Sequence, residues 1–210
     1  AEAEKKGIPT LVEFWTEALA RRLRDEGKRP DLICSANVLA HVPDINDFAR
    51  GIATLLTGDA VFTVEFPHLL NLIARVQFDT IYHEHYTYLS LLAVERIFAA
   101  AGLRVFDVEK LETHGGSLRV FACLADARHK EAASVAALRA EEHAAGLDSP
   151  AGYAGFEARV RTVRDDLLAF LRKVRAEGKS VAAYGAALNP AGHGPYVLGL
   201  HYCHDHPGWS

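Results

Sequence analysis

Apolar and polar residues alternate along the first part of the chain in patterns that predict helices and strands in turn. Thr10 and Glu13 have the spacing of a capping box, and apolar residues recur at helical intervals after them until Gly27. The run 31–36, DLICSA, is short and apolar, and it ends at a polar loop that begins with Asn37. The pattern therefore predicts one amphipathic helix followed by a buried strand.

A second helix and a second strand are predicted next. Asp44 is the expected N-cap of this helix, and Gly58 is expected to close it. The segment 60–66, AVFTVEF, then has the pattern of another strand. Strand, helix and strand in this order predict a right-handed crossover and hence a parallel pair.

The elements that follow predict an antiparallel hairpin. Ser90 begins a helix that ends at Gly102, and two strand patterns, LRVFDVEKL and LRVFACLA, are joined by the short link ETHGGS. A short, turn-rich link favours antiparallel neighbours. The predicted fold class is therefore α/β, with a partly parallel sheet that finishes in a carboxyl-terminal antiparallel hairpin at its edge.

Changes of pattern divide the chain into three predicted segments. Residues 1–126 hold the alternating helices and strands. Residues 127–177 are helical apart from a break near 146–155, and we interpret them as a helical bridge. Residues 178–210 open with KSVAAYG, the pattern of the first strand and turn of another α/β unit, and continue after Ala187 as an irregular tail.

The composition mainly excludes classes of protein. The chain has 210 residues, half of them hydrophobic, which is enough for a sizeable core, yet its apolar runs fall far short of a membrane span. Net charge is −4 with acids and bases mixed, so no nucleic-acid surface is expected. Cys34, Cys123 and Cys203 are too scattered for a disulfide framework. We expect a cytoplasmic protein with small-molecule partners, no membrane and no nucleic acid, and the sequence leaves the oligomeric state open.

The candidate chemistry is concentrated in residues 76–90, VQFDTIYHEHYTYLS. His83 and His85 flank Glu84, and Tyr82 precedes them. Imidazole titrates near neutral pH, and a neighbouring carboxylate or phenol can orient it and shift its pKa. The segment is therefore a candidate acid/base unit.

Two further polar residues, Asn37 and His41, follow the first predicted strand. In open α/β sheets, ligands bind outside the carboxyl ends of the strands. Because the segment 76–90 comes directly after the second strand, we expect all of these groups to surround one crevice.

Plainer explanations remain open for each feature. Aromatic and histidine side chains also fill gaps and cap helices, and Glu84 either orients a histidine or is solvated. A metal site is disfavoured, because histidines two positions apart do not match the helical H-E-x-x-H spacing, and the histidines around Cys203 match no closed tetrahedral site. Gly115 and Gly116 either let backbone amides approach a phosphate or sugar, or form an ordinary turn.

Four stretches, in this order, closely resemble the sugar C-methyltransferases: NVLAHVPDINDF, QFDTIYHEHYTYLS, THGGSLRV and SVAAYGAA. This family comprises class I methyltransferases that use S-adenosylmethionine on nucleotide-activated keto-deoxysugars, and it includes the carbon-3 methyltransferases of branched sugars. The resemblance runs from about Gly7 to Ala187. It implies a partial class I, Rossmann-like methyltransferase sheet and a C-methyltransferase C-terminal domain whose α/β unit binds the nucleotide-sugar.

The resemblance also implies roles for single residues. His85 is implied as the general base, with Tyr82 and Glu84 beside it, His41 assisting, and Asn37 lining the cofactor or substrate crevice. The residues that we expect to bind substrate are His83, His114, Gly115, Gly116 and Tyr184.

These roles agree with the chemistry of the residues. A hydrogen next to a ketone can be removed by a base of near-neutral pKa, because the charge spreads onto the ketone oxygen as an enolate. A neutral histidine such as His85 is a natural base, and Tyr82 could donate a hydrogen bond to the developing oxyanion.

Departures from the family pattern bear on the cofactor. Family members begin with a zinc-binding cysteine-rich segment and a strand that ends in a glycine-rich loop, and neither is found before Thr10. After Ala187, the text LNPAGHGPY replaces the family pattern. We therefore expect an amino-terminally truncated chain with a divergent carboxyl tail, and weak or no S-adenosylmethionine binding by this chain alone. Two other hypotheses stay open: a non-catalytic module for a nucleotide-sugar or partner chain, and a metal-dependent hydrolase using His83, His85 and the terminal histidines.

Overall fold

The computed structural model describes residues 2–181, which form a mixed four-stranded sheet with helices packed on it. The strands are β1 (Leu32–Ala36), β2 (Val61–Pro67), β3 (Leu103–Leu111) and β4 (Ser117–Leu124). The helices are α1 (Glu2–Lys5), α2 (Glu17–Asp25), α3 (Ile45–Leu55), α4 (Leu69–Ala74), α5 (Leu91–Ala100), α6 (Ala133–Ala144) and α7 (Phe156–Ala176). Short 3₁₀ turns lie at Leu39–His41, Phe78–Thr80, Thr113–Gly115 and Pro150–Tyr153.

The strand order is β1-β2-β4-β3, and it confirms the predicted α/β class with its crossover and terminal hairpin. β1 and β2 are parallel, whereas β4 is antiparallel to both β2 and β3. Pro67, at the carboxyl end of β2, pairs with Ser117 at the start of β4. The β3–β4 turn therefore lies at the same edge of the sheet as the carboxyl ends of β1 and β2.

The core lies between one face of the sheet and the helices α3, α5 and α6. Alternate residues of β2, among them Phe62, point into it, as the two-residue period of a strand requires. The ring of Phe62 lies between Phe48 of α3 and Phe98 of α5, with ring centroids 6.2 Å and 5.9 Å apart. Burial of each such side chain stabilises the fold by roughly 1.5–3 kcal/mol. The predicted caps also form, because Asp44 and Ser90 each accept a backbone N–H from the first turn of the following helix.

The first predicted helix is wrong in its start. α2 begins only at Glu17, where the Thr16 hydroxyl accepts the Leu19 N–H, while the Thr10 hydroxyl donates to the Ile8 carbonyl. Residues 11–14 lie on the surface, and Phe14 is 94% exposed. The prediction fails because a contact with a distant part of the chain, which the local pattern does not contain, decides where α2 begins.

That contact is made by Trp15, which lies against α3. Its indole N–H donates to the Phe48 carbonyl at 3.2 Å, and it fills the space beside Gly51, where a Cβ would come within 2.8 Å of the indole nitrogen. The Glu17 N–H is held by the Asp47 carboxylate at 3.1 Å. Docking of this stretch on α3 therefore selects Thr16, rather than Thr10, as the cap.

The region predicted as a helical bridge consists of α6 and α7, and the break between them falls where it was expected. α6 packs on the sheet, and its Val135 and Leu138 are buried in the main core. Most of the predicted strand 179–185, including Tyr184, and the tail after Ala187 lie outside the described residues. None of the helices in residues 2–181 is long and apolar enough to cross a membrane.

Candidate active site

His85 lies at the centre of the candidate site, in the segment 80–90, which is the part of the α4–α5 connection that leads into α5. Its Nδ1 is 3.0 Å from the Thr80 carbonyl oxygen. A carbonyl can only accept, so in the neutral ring Nδ1 carries the proton and Nε2 carries the lone pair. The Tyr82 hydroxyl is 3.0 Å from Nε2 and therefore donates to it.

The electrostatic surroundings keep His85 neutral. Burial lowers the pKa of His85 below its usual 6.5, and the neighbouring His41 lowers it further, against the Thr80 carbonyl and the charge of Glu84, which raise it. Burial, followed by the charge of Glu84, raises the pKa of Tyr82, so its hydroxyl stays protonated. At neutral pH this arrangement holds a deprotonated imidazole nitrogen against a phenol O–H.

A second imidazole borders the first. His41, in the 3₁₀ turn after β1, is held by a 2.9 Å hydrogen bond between its Nδ1 and the Glu84 carbonyl oxygen. The rings of His41 and His85 meet edge to face with centroids 4.7 Å apart, and the Tyr88 ring lies 5.9 Å from His85 on another side. The structure thus brings His41, Tyr82 and His85 together, as predicted from their positions in the sequence.

Backbone contacts fix this segment to the ends of two strands. The N–H groups of Tyr86 and Thr87 reach the Ala40 carbonyl, beyond β1, at 2.8 Å and 3.3 Å. Leu89 pairs with His68, directly after β2, and its carbonyl accepts the N–H of Leu69 at 2.9 Å. The cluster therefore lies at the carboxyl edge of β1 and β2, where a ligand site is expected in an open α/β sheet.

A small cleft lies beneath His85. Its walls are mostly apolar, and Phe66, Leu72 and Tyr88 contribute to them. Thr87 also lines the cleft, and its buried hydroxyl oxygen has no hydrogen-bond partner within residues 2–181. The open space of the cleft is about 10 Å³, the size of a single water molecule, which would satisfy a buried hydroxyl of this kind.

Three other predicted residues lie on the rim of the cluster. Asn37 ends β1 with a positive φ of 54°, a conformation that asparagine tolerates better than most residues, and its N–H donates to the Glu65 carbonyl at 2.9 Å. The side chains of His83 and Glu84 are exposed. The orienting group that Glu84 offers to His41 is its backbone carbonyl, so a catalytic role for its carboxylate stays a prediction.

The turn with His114, Gly115 and Gly116 is built into the same sheet edge. The Gly115 carbonyl accepts hydrogen bonds from Arg75 at 3.0 Å and Gln77 at 2.8 Å. Both glycines have positive φ, and a Cβ on either would collide with the Gln77 or Asn71 side chain. The positive φ values favour glycine at both positions, and substrate contact by this turn stays a prediction.

Sequence reasoning missed a buried polar pair, His68 and Glu142. His68 Nε2 lies 2.7 Å from Glu142 Oε1, although the two residues are 74 positions apart. A signal for Glu142 was present, because it continues the helical spacing of the buried Val135 and Leu138. A charged residue in the apolar phase of a helix points to a buried partner.

Metal binding gains no support from the described part of the chain. Among residues 2–181, no three His, Cys, Asp or Glu side chains come together in a way that could hold a metal ion. The terminal histidines that the hydrolase hypothesis uses lie outside those residues.

Comparison with known families decides the identity of the chain. Residues 4–108 match the sequence model of the methyltransferase domain. The chain belongs to the methyltransferase family. Residues 112–192 of this methyltransferase match the C-methyltransferase C-terminal domain, which confirms the family resemblance found from the motifs.

A curated relative and two solved structures extend the comparison. The methyltransferase is 38% identical over 184 residues to the C-methyltransferase NovU of Streptomyces niveus, which is 88% of this chain and 44% of that relative. The match thus spans less than half of NovU. The PH0226 protein of Pyrococcus horikoshii is similar with a TM-score of 0.44, 16% identity and coverage of 59% of this chain and 63% of that one. An S-adenosylmethionine-dependent methyltransferase of Clostridium acetobutylicum has a TM-score of 0.40, 10% identity and coverage of 59% and 68%.

Family membership implies S-adenosylmethionine as the methyl donor. At the end of β1, where the cofactor crevice is predicted, lie the half-buried Asn37 in its left-handed conformation, the exposed Val38 and the imidazole of His41. Residues 2–181 contain no glycine-rich turn between a strand and a helix, the feature that lets a backbone approach a cofactor closely. That Asn37 lines the cofactor crevice stays a prediction.

Proposed function

We propose that this methyltransferase contains the proton-transfer site of an S-adenosylmethionine-dependent C-methyltransferase that acts on a nucleotide-activated keto-deoxysugar. The two family matches and the identity to NovU support C-methylation. The sugar substrate is supported by the motif resemblance and by a site whose groups suit proton abstraction beside a ketone. The match spans less than half of NovU, so the activity and the substrate are proposals for this chain.

His85 is the proposed base, and Nε2 is the atom that accepts the proton. The Thr80 carbonyl holds the proton of the neutral ring on Nδ1, and this leaves the Nε2 lone pair to accept the hydrogen bond of the Tyr82 hydroxyl. As the carbon beside the ketone gives its proton to Nε2, the electrons of the broken C–H bond move onto the ketone oxygen as an enolate. The resulting imidazolium keeps its hydrogen bond to Thr80.

Tyr82 is proposed to stabilise the enolate. When substrate arrives, its hydroxyl hydrogen can turn from His85 Nε2 to the ketone oxygen, which frees the lone pair and supplies an oxyanion donor in the same movement. The raised pKa of Tyr82 keeps this proton in place.

His41, Asn37 and Glu84 have supporting roles in this proposal. His41 lowers the pKa of His85 and closes one side of the cluster. Asn37 lines the crevice for the cofactor or substrate, and Glu84 stabilises the imidazolium once it forms, since its charge raises the pKa of His85. S-adenosylmethionine, when bound, supplies an electrophilic methyl group on its sulfonium.

The observation that carries the proposal is the pair of hydrogen bonds to the two nitrogens of His85. Methyl transfer to a nucleotide-activated keto-deoxysugar tests it, with His85→Asn as the variant. Loss of the base is expected to lower the rate by about 10²- to 10⁴-fold. His143→Asn, the same change at an exposed position near the end of α6, is the control and should keep the parent rate. Equal rates for parent and His85→Asn would refute the proposed role of His85.

The same assay also tests the alternative that the chain is a non-catalytic binding module. A parent protein that binds the nucleotide-sugar but transfers no methyl group, with S-adenosylmethionine present, would favour a binding module.

A further inference from the structure

A carboxylate outside the proposed catalytic cluster is completely enclosed by protein. Glu142 of α6 has no exposed surface, and its partner His68 is only 2% exposed. A buried carboxylate is strongly unfavourable unless hydrogen bonds replace its hydration. An apolar residue at this helix position would fill the core without that cost, so the hydrogen bonds of Glu142 are the property to explain.

Two hydrogen bonds of Glu142 reach the backbone that directly follows the segment 80–90. Oε1 accepts the N–H of Leu91 at 2.7 Å, and Oε2 accepts the N–H of Leu92 at 2.9 Å. These are the first two amides of α5, the helix that starts directly after the segment 80–90. The carboxylate therefore satisfies donors that a helix start leaves without intrahelical partners.

The third hydrogen bond reaches the other side of the same junction. His68 Nε2, 2.7 Å from Oε1, must donate because a carboxylate only accepts. The backbone of His68 follows β2 and pairs with Leu89, three residues before Leu92. Glu142 thus connects the carboxyl end of β2 to the start of α5. The segment 80–90 reaches this junction at Leu89, four residues after His85.

A second anchor lies nearer to His85. Ala40, in the 3₁₀ turn after β1, accepts the N–H groups of Tyr86 and Thr87. Both anchors thus follow His85 in the chain, whereas its ring contacts with Thr80 and Tyr82 lie before it. The two anchors together fix the course of the chain that leaves His85.

We propose that Glu142 is a positioning residue for the proton-transfer cluster: its carboxylate, together with His68, fixes the carboxyl-terminal anchor of the segment 80–90 and so holds His85 in its half-buried place. The inference rests on the proposed function for its catalytic meaning. Glu142 lies in the stretch that matches the C-methyltransferase C-terminal domain, whereas His68 and His85 lie in the methyltransferase domain. The C-terminal domain would therefore set the geometry of a base in its neighbour.

Glu142→Gln is the direct test because it keeps the size of the side chain. A glutamine has one acceptor oxygen, and in either orientation its NH₂ group faces a backbone N–H of Leu91 or Leu92, so an amide loses its acceptor. Two matched controls exist on the same helix. Glu141→Gln makes the same change at an exposed neighbour, and Leu138→Ala removes buried core packing but leaves the carboxylate in place.

The readout is the pKa of His85, followed by NMR of its ring protons in this chain without substrate. The groups around that ring are Tyr82, Glu84, His41 and Tyr88, and none of them is altered. A loosened anchor exposes the ring to water, so Glu142→Gln should raise the pKa of His85 toward 6.5, while both controls should leave it as in the parent. An unchanged pKa in folded Glu142→Gln, or an equal rise in Leu138→Ala, would overturn the proposal.

Two substitutions of His68, which disturb the site less, test the proposal if Glu142→Gln does not fold. His68→Phe removes one donor but keeps both amide hydrogen bonds, and it should also raise the pKa of His85. His68→Gln, whose NH₂ group can reach the carboxylate in place of Nε2, should return the pKa to the parent value. Failure of either result would count against the role of the pair.

A rate measurement separates this inference from the proposed function. If both hold, proton abstraction from the keto-sugar should fall on the order of 10- to 100-fold in Glu142→Gln, as expected for misplacement of a base. If the parent abstracts no proton, the proposed function fails, yet the pKa of His85 still decides whether Glu142 positions the ring.

Discussion

The Tyr82 hydroxyl donates a 3.0 Å hydrogen bond to Nε2 of His85, the ring nitrogen that carries the lone pair because Thr80 holds the proton on the other. Without substrate, Nε2 of His85 is thus covered by the Tyr82 hydroxyl, which is the group proposed to stabilise the enolate. Substrate must replace this hydrogen bond before a proton can move, so Tyr82 and His85 are expected to act as a pair.

Removal of the Tyr82 hydroxyl should slow proton abstraction without unfolding the protein. Tyr82→Phe keeps the ring that packs on His85 and loses the oxyanion donor, so the rate at saturating substrate should fall about 10²-fold. Tyr153→Phe is the control, since that hydroxyl donates to the Leu147 carbonyl away from the cluster. A Tyr82→Phe rate within twofold of the parent would show that the hydroxyl has no part in the reaction.

The pH dependence of stability should reveal the depressed pKa of His85. The unfolded chain binds the proton at a pKa near 6.5, whereas the folded chain binds it only at lower pH, because burial and His41 disfavour the imidazolium. In the window between the two values the unfolded state carries more protons, so the free energy of unfolding should rise with pH and level off above about 6.5.

Urea unfolding between pH 5 and pH 7.5 measures this rise. His85→Asn cannot ionise, so its free energy of unfolding should rise less across the window than that of the parent. Identical slopes in the two proteins would mean that the pKa of His85 is not lowered by folding.

The glycine turn at the sheet edge should tolerate no side chain. Gly116→Ala places a methyl group against Asn71 in a backbone with φ of 114°, and we expect a loss of about 1–3 kcal/mol in the free energy of unfolding. Gly27→Ala is the matched control, because Gly27 also has positive φ but nothing lies within 4 Å of its Cβ position. Urea unfolding should show the larger loss of unfolding free energy in Gly116→Ala. Equal losses in the two variants would mean that the contact with Asn71 adds nothing to the strain of a positive φ.

The start of α2 offers a direct comparison of two threonines. Thr16→Ala removes the oxygen that accepts the Leu19 N–H and should cost about 1 kcal/mol, as is typical of a lost N-cap. Thr10→Ala removes only a surface hydrogen bond to Ile8 and should cost less than half of that. Thermal or urea unfolding of the two variants would contradict the assigned cap if Thr10→Ala were the more damaging.

Patterns within one element were enough to predict most of the fold. Asp44 and Ser90 cap their helices as the local sequence indicates, and the link ETHGGS joins antiparallel strands. Thr10 misled the prediction because the choice between two caps depends on Trp15, whose hydrogen bond to Phe48 spans 33 residues. Local spacing contains no information about such a contact.

The same distinction applies to the site. The density of proton-transfer groups made Tyr82 and His85 candidates, and the rule for strand ends predicted the position of His41 beside them. The sequence could not show which nitrogen of His85 carries the proton, since the Thr80 backbone decides it. Nor could it pair His68 with Glu142, because only the packing of α6 on the sheet brings them together.

The central claim is that His85 Nε2 removes a proton from the carbon beside a ketone, and deuterium exchange tests that step apart from methyl transfer. A nucleotide-activated keto-deoxysugar labelled with deuterium at that carbon is incubated with the protein in ordinary water, and the loss of label is followed by mass spectrometry. We predict that the parent releases the label and that His85→Asn releases it at least 10²-fold more slowly. Retention of the label by the parent, or equally fast release by His85→Asn, would contradict the account.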